Sequence, residues 1–394
     1  MCACILSACH DDEDLPGLPG SETRHTVIFY IAGENSLASF VATDSAEIAQ
    51  ASELLPEDVR VVMFIDDAKS SRICVKAKGS SMQTIKTYEG NVCTTDSASM
   101  LNVLTDIVLT YPSKSYGLVF WSHATGWIFE DTGSSTTKHQ SPKRRSFGID
   151  NGLRSSLTNA GMVMNIPTLA GVLDQLPHFE YIMFDACFMQ CVEVAYELRR
   201  ACNWMIGSPA EIPGDGAPYE SVLPLLCAEP FNAEAVLDTY HAYYDRGPGH
   251  SNYLGVELSA VNMAGMDAFA QATREAVGKV WNGGREASVS DVQYYIIDSR
   301  WPHFYDIGSL FYHNLSEEDY ARWYNELAGV LPYVRLSKQW TTGNWMRRFY
   351  SIFDQEHCTA LSIYAPTAEH ADDWNADYRR LQWYKATGMD QTGW

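Results

Sequence analysis

An α/β fold on a mostly parallel central sheet is predicted by three observations. Short apolar runs alternate with segments of helical period through the N-terminal half. The runs are continuously apolar rather than alternating, as strands covered on both faces are. Two of them end in a reactive side chain at the carboxyl end, the edge where open α/β sheets hold their ligands.

In order, His25–Gly33 is a first buried strand, followed by a helix near 40–55 carrying Ile48, Ala51 and Leu54. Val59–Ile65 is a second strand ending at Asp66 and Asp67, and residues 72–78 and 83–87 read as a short hairpin or meander. A helix near 97–111 leads to the strand Tyr116–Trp121, which ends at His123. Asn165, followed by Pro167, reads as the cap of a helix running to Leu176. Tyr181–Phe184 is the strand before Asp185 and Cys187, and a helical pattern starts at Met189. Trp204–Gly207 is a further strand that opens into the Gly/Pro-rich stretch Ser208–Tyr219. Beyond about residue 225 helices dominate (231–245, 266–283, 316–330), with strands near 252–262 and 359–365. The expected organisation is a leader and tether over 1–24, a core over 25–225 and a mainly helical C-terminal extension over 226–394 that adds edge strands. Trp374, Tyr378, Trp383 and Tyr384 are expected to pack as core.

The 394 residues carry a formal charge of −21, which argues against nucleic-acid binding, since that needs a basic face. The acidity would favour the approach of basic substrates, and it also serves plain solubility. Ten cysteines are scattered without a Cys-x-x-Cys pair, so neither a disulfide framework nor a structural zinc site is expected. Zinc at Cys187, Cys191 and His123 is the remaining metal reading. No apolar run is long enough to span a membrane. Leu6–Cys9 resembles a bacterial lipobox, with Cys9 as the lipidation candidate, and the acidic stretch His10–Asp14 resembles the surface-export signal of Bacteroidetes lipoproteins. An extracytoplasmic protein is therefore expected, lipid-anchored to the outer membrane or cell surface, or secreted, and touching membrane only through that anchor.

A cysteine at a strand-to-helix junction sits near a positive helix end, where its pKa is expected to fall. If the strands before His123 and Cys187 are both parallel members of one sheet, the two side chains meet at one edge as a Cys/His pair. The alternative is a small core cysteine and a structural loop histidine. Glu211 and Asp215 rise at the same edge and either line a pocket for a cationic side chain or cap turns. The polar stretch 128–146, directly after the histidine, carries Lys143, Arg144 and Arg145. It reads as a cleavable loop or as an exposed solvated one.

Phe120-Trp-Ser-His-Ala-Thr-Gly-Trp127 and Phe184-Asp-Ala-Cys-Phe-Met189 together resemble the clostripain family (C11) of cysteine peptidases, in the caspase-like clan. Supporting stretches are Phe29–Ala32, Ser208–Gly216, Leu361–Tyr364 and Leu381–Lys385. The resemblance implies a caspase-like α/β/α sandwich and an endopeptidase that cleaves after Arg, and after Lys in some members. Cys187 would be the nucleophile and His123 the general base and acid. The backbone N–H groups of Cys187 and Ala124 would hold the oxyanion. Asp185, with Asp215 as a second candidate, would form an acidic S1 pocket. Self-cleavage at Lys143, Arg144 or Arg145 would activate the chain. Peptides or proteins with Arg or Lys at P1 are the implied substrates, and a monomer is expected. No metal or cofactor is required by these residues; calcium dependence is a property of clostripain that the sequence leaves open. The family's glycine after the histidine is Ala124 here, which suits an oxyanion donor only if its φ is negative. A surface lipoprotein of the same fold that binds rather than cuts is the alternative.

Overall fold

The computed structural model describes residues 22–76, 82–129, 146–152, 161–246, 254–295, 304–342, 348–370 and 374–394. β1 (Thr23–Ala32), α1 (Ala38–Ala51), β2 (Val59–Asp66), β3 (Ser71–Lys76), β4 (Gln83–Thr87), α2 (Ser97–Thr110) and β5 (Ser113–Trp121) open the chain. A hairpin of β6 (Phe147–Asp150) and β7 (Met162–Met164) precedes α3 (Ile166–Leu173), β8 (Phe179–Asp185), α4 (Val192–Leu198) and β9 (Cys202–Gly207). Then come α5 (Tyr219–Leu226), α6 (Ala233–Tyr244), β10 (Glu257–Asn262), α7 (Met266–Val280), β11 (Phe304–Asp306), α8 (Ile307–Asn314) and α9 (Glu317–Val330). The chain closes with β12 (Tyr333–Leu336), the hairpin β13 (Gln339–Thr342) and β14 (Arg348–Ser351), β15 (Ser362–Tyr364), α10 (Trp374–Tyr378) and α11 (Gln382–Ala386).

Among the described residues a nine-stranded sheet runs in the order β12-β10-β9-β8-β5-β1-β2-β3-β4. The central strands β2, β1, β5, β8 and β9 are parallel, and both ends of the sheet are antiparallel. Alternation along each strand feeds two separate cores. Val27, Phe29, Ile31, Val119, Trp121, Tyr181 and Met183 face α1, α5 and α6. Ile28, Tyr30, Leu118, Phe120, Ile182 and Phe184 face α2, α3 and α4 on the other side. The result is an α/β/α sandwich, and the continuous apolar runs of the sequence follow from burial on both faces.

Several elements escaped the sequence reading, namely the hairpin β6–β7, helices α5, α8, α10 and α11, and strands β11 to β14. They are short, and α5 contains Pro224, which hides a helical period. Asn165 sits at the N-terminus of α3 as expected but makes no side-chain cap. Its Oδ1 instead accepts a hydrogen bond from Ser146 Oγ at 3.2 Å, which ties the helix to β6. The C-terminal aromatic residues are buried. Tyr364 and Tyr378 pack on the Trp127 ring at 5.0 and 5.6 Å, so the end of the chain supports the segment after His123.

Gly117 and Tyr181 are register partners between β5 and β8, and the Tyr181 ring lies over the glycine. A Cβ on Gly117 would stand 2.1 Å from Tyr181 Cζ. Tyr181 cannot move away freely, because its hydroxyl donates to the Leu226 carbonyl at 3.0 Å in the core. Gly117→Val is therefore expected to destabilise the chain by roughly 1–3 kcal/mol, read as a lower urea midpoint at unchanged slope.

Candidate functional site

Trp121 of β5 and Asp185 of β8 are register partners, and His123 and Cys187 each lie two residues beyond them. The two side chains leave the sheet at neighbouring positions on its carboxyl edge, and both are half-buried. The strand ends that carry His123 and Cys187 are thus neighbours in the sheet, as the sequence pattern anticipates.

The histidine segment is pinned from both sides. Gly148 N–H donates to the His123 carbonyl at 2.9 Å, and Thr125 N–H donates to the Ser146 carbonyl at 3.0 Å. These bonds flank an antiparallel bridge between Ala124 and Phe147. In a pair of that kind the bridged residue turns its own N–H away from the partner strand. Ala124 has a negative φ, so its Cβ imposes no strain. Gly126 has the positive φ (+64°) in this segment, and a Cβ there would stand 2.8 Å from the Phe188 carbonyl oxygen. His123 Nε2 shares a hydrogen bond with Ser36 Oγ at 2.8 Å. Ser36 lies just past β1, at the same sheet edge, and the rule that located His123 and Cys187 applies equally to it.

The cysteine segment is strained and strapped. Phe188 adopts φ +61°, a conformation that costs a non-glycine residue about 1–3 kcal/mol. Phe188 N–H donates to the Ala210 carbonyl and Gln190 N–H to the Ser208 carbonyl, both at 3.0 Å, which holds the turn in place. Cys187 Sγ accepts from Ile212 N–H at 3.5 Å. The thiol is not activated in this intact chain. Burial, with Glu211 adding its negative charge, pushes Cys187 up to about 12, the reverse of the expected lowering. The helix that follows starts only at Val192, and at that distance its dipole does not offset burial.

Asp185 is 3 % exposed beneath this edge. Its Oδ2 accepts from Ala217 N–H at 3.0 Å and Tyr219 OH at 2.6 Å, and its Oδ1 accepts from Tyr240 OH at 3.1 Å. Burial raises its pKa, and these neutral donors pull it back only in part. Asp215 is exposed nearby, and Glu211 is half-buried against Cys187. Lys143, Arg144, Arg145 and Cys9 lie outside the described residues.

One group the sequence reading missed has metal-ligand character. Glu34, Asp66 and Asp150 are buried with carboxylate oxygens within 4.8 Å of one another. They come from the carboxyl ends of β1, β2 and β6, too far apart in sequence to form a motif. Asp66 accepts from Ser71 Oγ at 2.6 Å, and Asp150 from Thr94 Oγ1 and Gly152 N–H, each at 2.8 Å. Such an all-oxygen set suits calcium or magnesium rather than zinc.

Comparison with known proteins agrees with this architecture. The family model described as the clostripain family matches residues 29–394. A secreted C11 cysteine protease from Bacteroides thetaiotaomicron, crystallised with an irreversible peptide inhibitor, is 27% identical; the match covers 93% of this chain and 99% of that one, with a TM-score of 0.78. A cysteine protease from B. fragilis is 29% identical over 60% of this chain and 98% of its own, with a TM-score of 0.54. An inactive zymogen C11 protease from Parabacteroides distasonis, 24% identical over 93% and 99% at a TM-score of 0.76, shares the fold. Comparison with curated proteins finds no match. The sandwich is the caspase-like one.

Removing the charge beside the thiol should be visible directly. In Glu211→Gln, alkylation of Cys187 by iodoacetamide at pH 8 is expected to quicken severalfold, read by peptide mass mapping. An unchanged rate would assign the high thiol pKa to burial alone.

Proposed function

This chain belongs to the clostripain family, and from that premise we propose that it is a cysteine endopeptidase cutting after arginine, and after lysine more slowly. The observation that carries the reading is the convergence of His123, Cys187 and Asp185 at one sheet edge, with a buried carboxylate served by uncharged donors. A P1 guanidinium or ammonium supplies the positive charge that Asp185 lacks, and Asp215 stands at the exposed side of the same pocket. A bidentate guanidinium–carboxylate contact favours arginine.

In the reaction, the Cys187 proton passes to His123 and Sγ bonds to the carbonyl carbon of the P1 residue. The N–H groups of Ala124 and Cys187 hold the oxyanion. The C–N bond then breaks and the leaving amine takes the proton from His123. Water, deprotonated by His123, releases the acid and restores the thiol. Ser36, bonded to Nε2, keeps the ring turned for both transfers. The negative φ of Ala124 removes the main support for a catalytically impaired binding protein.

The intact chain is a zymogen in this reading. Its thiol, raised to about 12, stays protonated at neutral pH, and cleavage at Lys143, Arg144 or Arg145 is the activating step. The protein works outside the cytoplasm, secreted or held by a lipid on Cys9. Among the described residues no helix is long and apolar enough to cross a membrane. The carboxylates of Glu34, Asp66 and Asp150 would hold calcium where the ion is required, as a structural brace rather than as part of the reaction.

Wild type is expected to split once in 143–145 on incubation and to cleave Arg-terminated fluorogenic peptides, while Cys187→Ala and His123→Ala stay whole and inert. Asp185→Asn should lower kcat/KM for Arg peptides by about a hundredfold or more while leaving thiol alkylation intact. A wild type that cuts after acidic or apolar residues contradicts the specificity. One that cuts without splitting contradicts only the activation step.

A further inference from the structure

Helix α1 carries an acid where its packing pattern calls for an apolar residue. Val41, Ile48 and Ala51 face the sheet and are buried, and Asp44 is buried with them at 1 % exposure. Its Oδ2 accepts a hydrogen bond from the Trp121 indole N–H at 2.6 Å. Its Oδ1 is buried and meets no donor. An apolar residue would spare the helix that cost, so packing alone does not account for a carboxylate here.

Trp121 fixes where this oxygen stands. Trp121 and Asp185 are register partners, and the α1-side core holds Trp121 and Met183, so Asp185, two residues after Met183, shares that face. Asp44 is close enough to Asp185, Glu47 and Asp215 for each of their charges to act on it. Tyr219 of α5 and Tyr240 of α6 donate to Asp185, and Tyr244 donates to the Gly216 carbonyl at 2.6 Å. The groups gathered from α1, β5, β8, the 215–217 turn, α5 and α6 are thus carboxylates, phenols and one indole. None of the groups that act most strongly on Asp44 or Asp185 is a cation. Burial, with the neighbouring carboxylates, pushes Asp44 up to about 8, so without a bound cation it is largely protonated at neutral pH.

We infer that Asp44 is a specificity-determining residue of the P1 pocket, its unpartnered Oδ1 taking an N–H of an arginine guanidinium whose other edge is held by Asp185. This rests on the Arg/Lys reading above. A guanidinium presents five N–H donors in a planar fork, which two carboxylates on separate elements can engage at once. An ammonium is a compact charge that one carboxylate satisfies. Asp44 therefore sets the preference for arginine over lysine rather than the preference for a cation as such. As the guanidinium enters, the Asp44 proton leaves to solvent and a carboxylate–guanidinium pair replaces the neutral acid.

The test uses the full chain with Asp44→Asn and Asp44→Ser, assayed on matched Arg- and Lys-terminated peptides. The expected result is a loss of about tenfold or more in kcat/KM on Arg, mostly in KM, against less than about threefold on Lys. Cys187 alkylation is unchanged, and the melting temperature is unchanged or higher because a buried acid is gone. An Arg/Lys ratio within about twofold of wild type in both variants overturns the inference and leaves the P1 reading intact. Arg and Lys rates falling together with a lowered melting temperature mark a structural role and overturn it as well. On the unaltered chain, agmatine binding at pH 7 should release protons, read by calorimetry in two buffers of different ionisation enthalpy. Binding without release contradicts the role of Asp44. Failure of wild type to bind agmatine or to cut after either basic residue removes the P1 reading itself, and Asp44 with it.

Discussion

The parallel pairing of β5 with β8 is the constraint on which the site depends. Its register places Trp121 beside Asp185, which brings the strand ends carrying His123 and Cys187 together and sets Asp44, bonded to Trp121, towards Asp185. In a strand a slip of one residue exchanges its two faces, which would carry Asp185 away from Tyr219 and Tyr240 and into the opposite core. Gly117 guards the register. Tyr181 can lie flat only where β5 lacks a side chain, and the flanking positions are Tyr116 and Leu118. The core interaction that sets the sheet thus also sets the chemistry at its edge.

Burial then acts on three ionisable groups at that edge in one direction. It raises Asp44, Asp185 and Cys187 together, and neighbouring carboxylates reinforce the shift at Asp44 and Cys187. A site in this condition holds its thiol protonated at neutral pH, and a cation would relieve the repulsion that Asp185, Glu47 and Asp215 exert on Asp44. The strained turn at Phe188 and the strap formed by 208–212 hold the cysteine in place independently of those charges.

Much of this was legible in the sequence because a buried strand announces its end. Continuous apolar runs stop at Ala32, Asp66, Trp121 and Asp185, and the residues just past them reach one edge. That rule located His123 and Cys187 but was not carried back to β1, where it would have found Ser36. Asp44 had a local signal too, a carboxylate at a core position of an amphipathic helix. The carboxylates of Glu34, Asp66 and Asp150 had none, since they converge only through sheet order. The state of the thiol was misjudged because position relative to a helix says nothing about how deeply a group is covered. The question posed by Ala124 needed backbone angles, and the positive φ proved to belong to Gly126.

The measurement that tests the central claim most directly is a crystal structure of the processed protein after reaction with an irreversible Arg-terminated peptide inhibitor. The account predicts a thioether at Cys187 Sγ, the P1 guanidinium on Asp185, and the inhibitor oxygen within hydrogen-bond reach of Ala124 N–H. Attachment at another cysteine, or a P1 side chain directed away from Asp185, would contradict it.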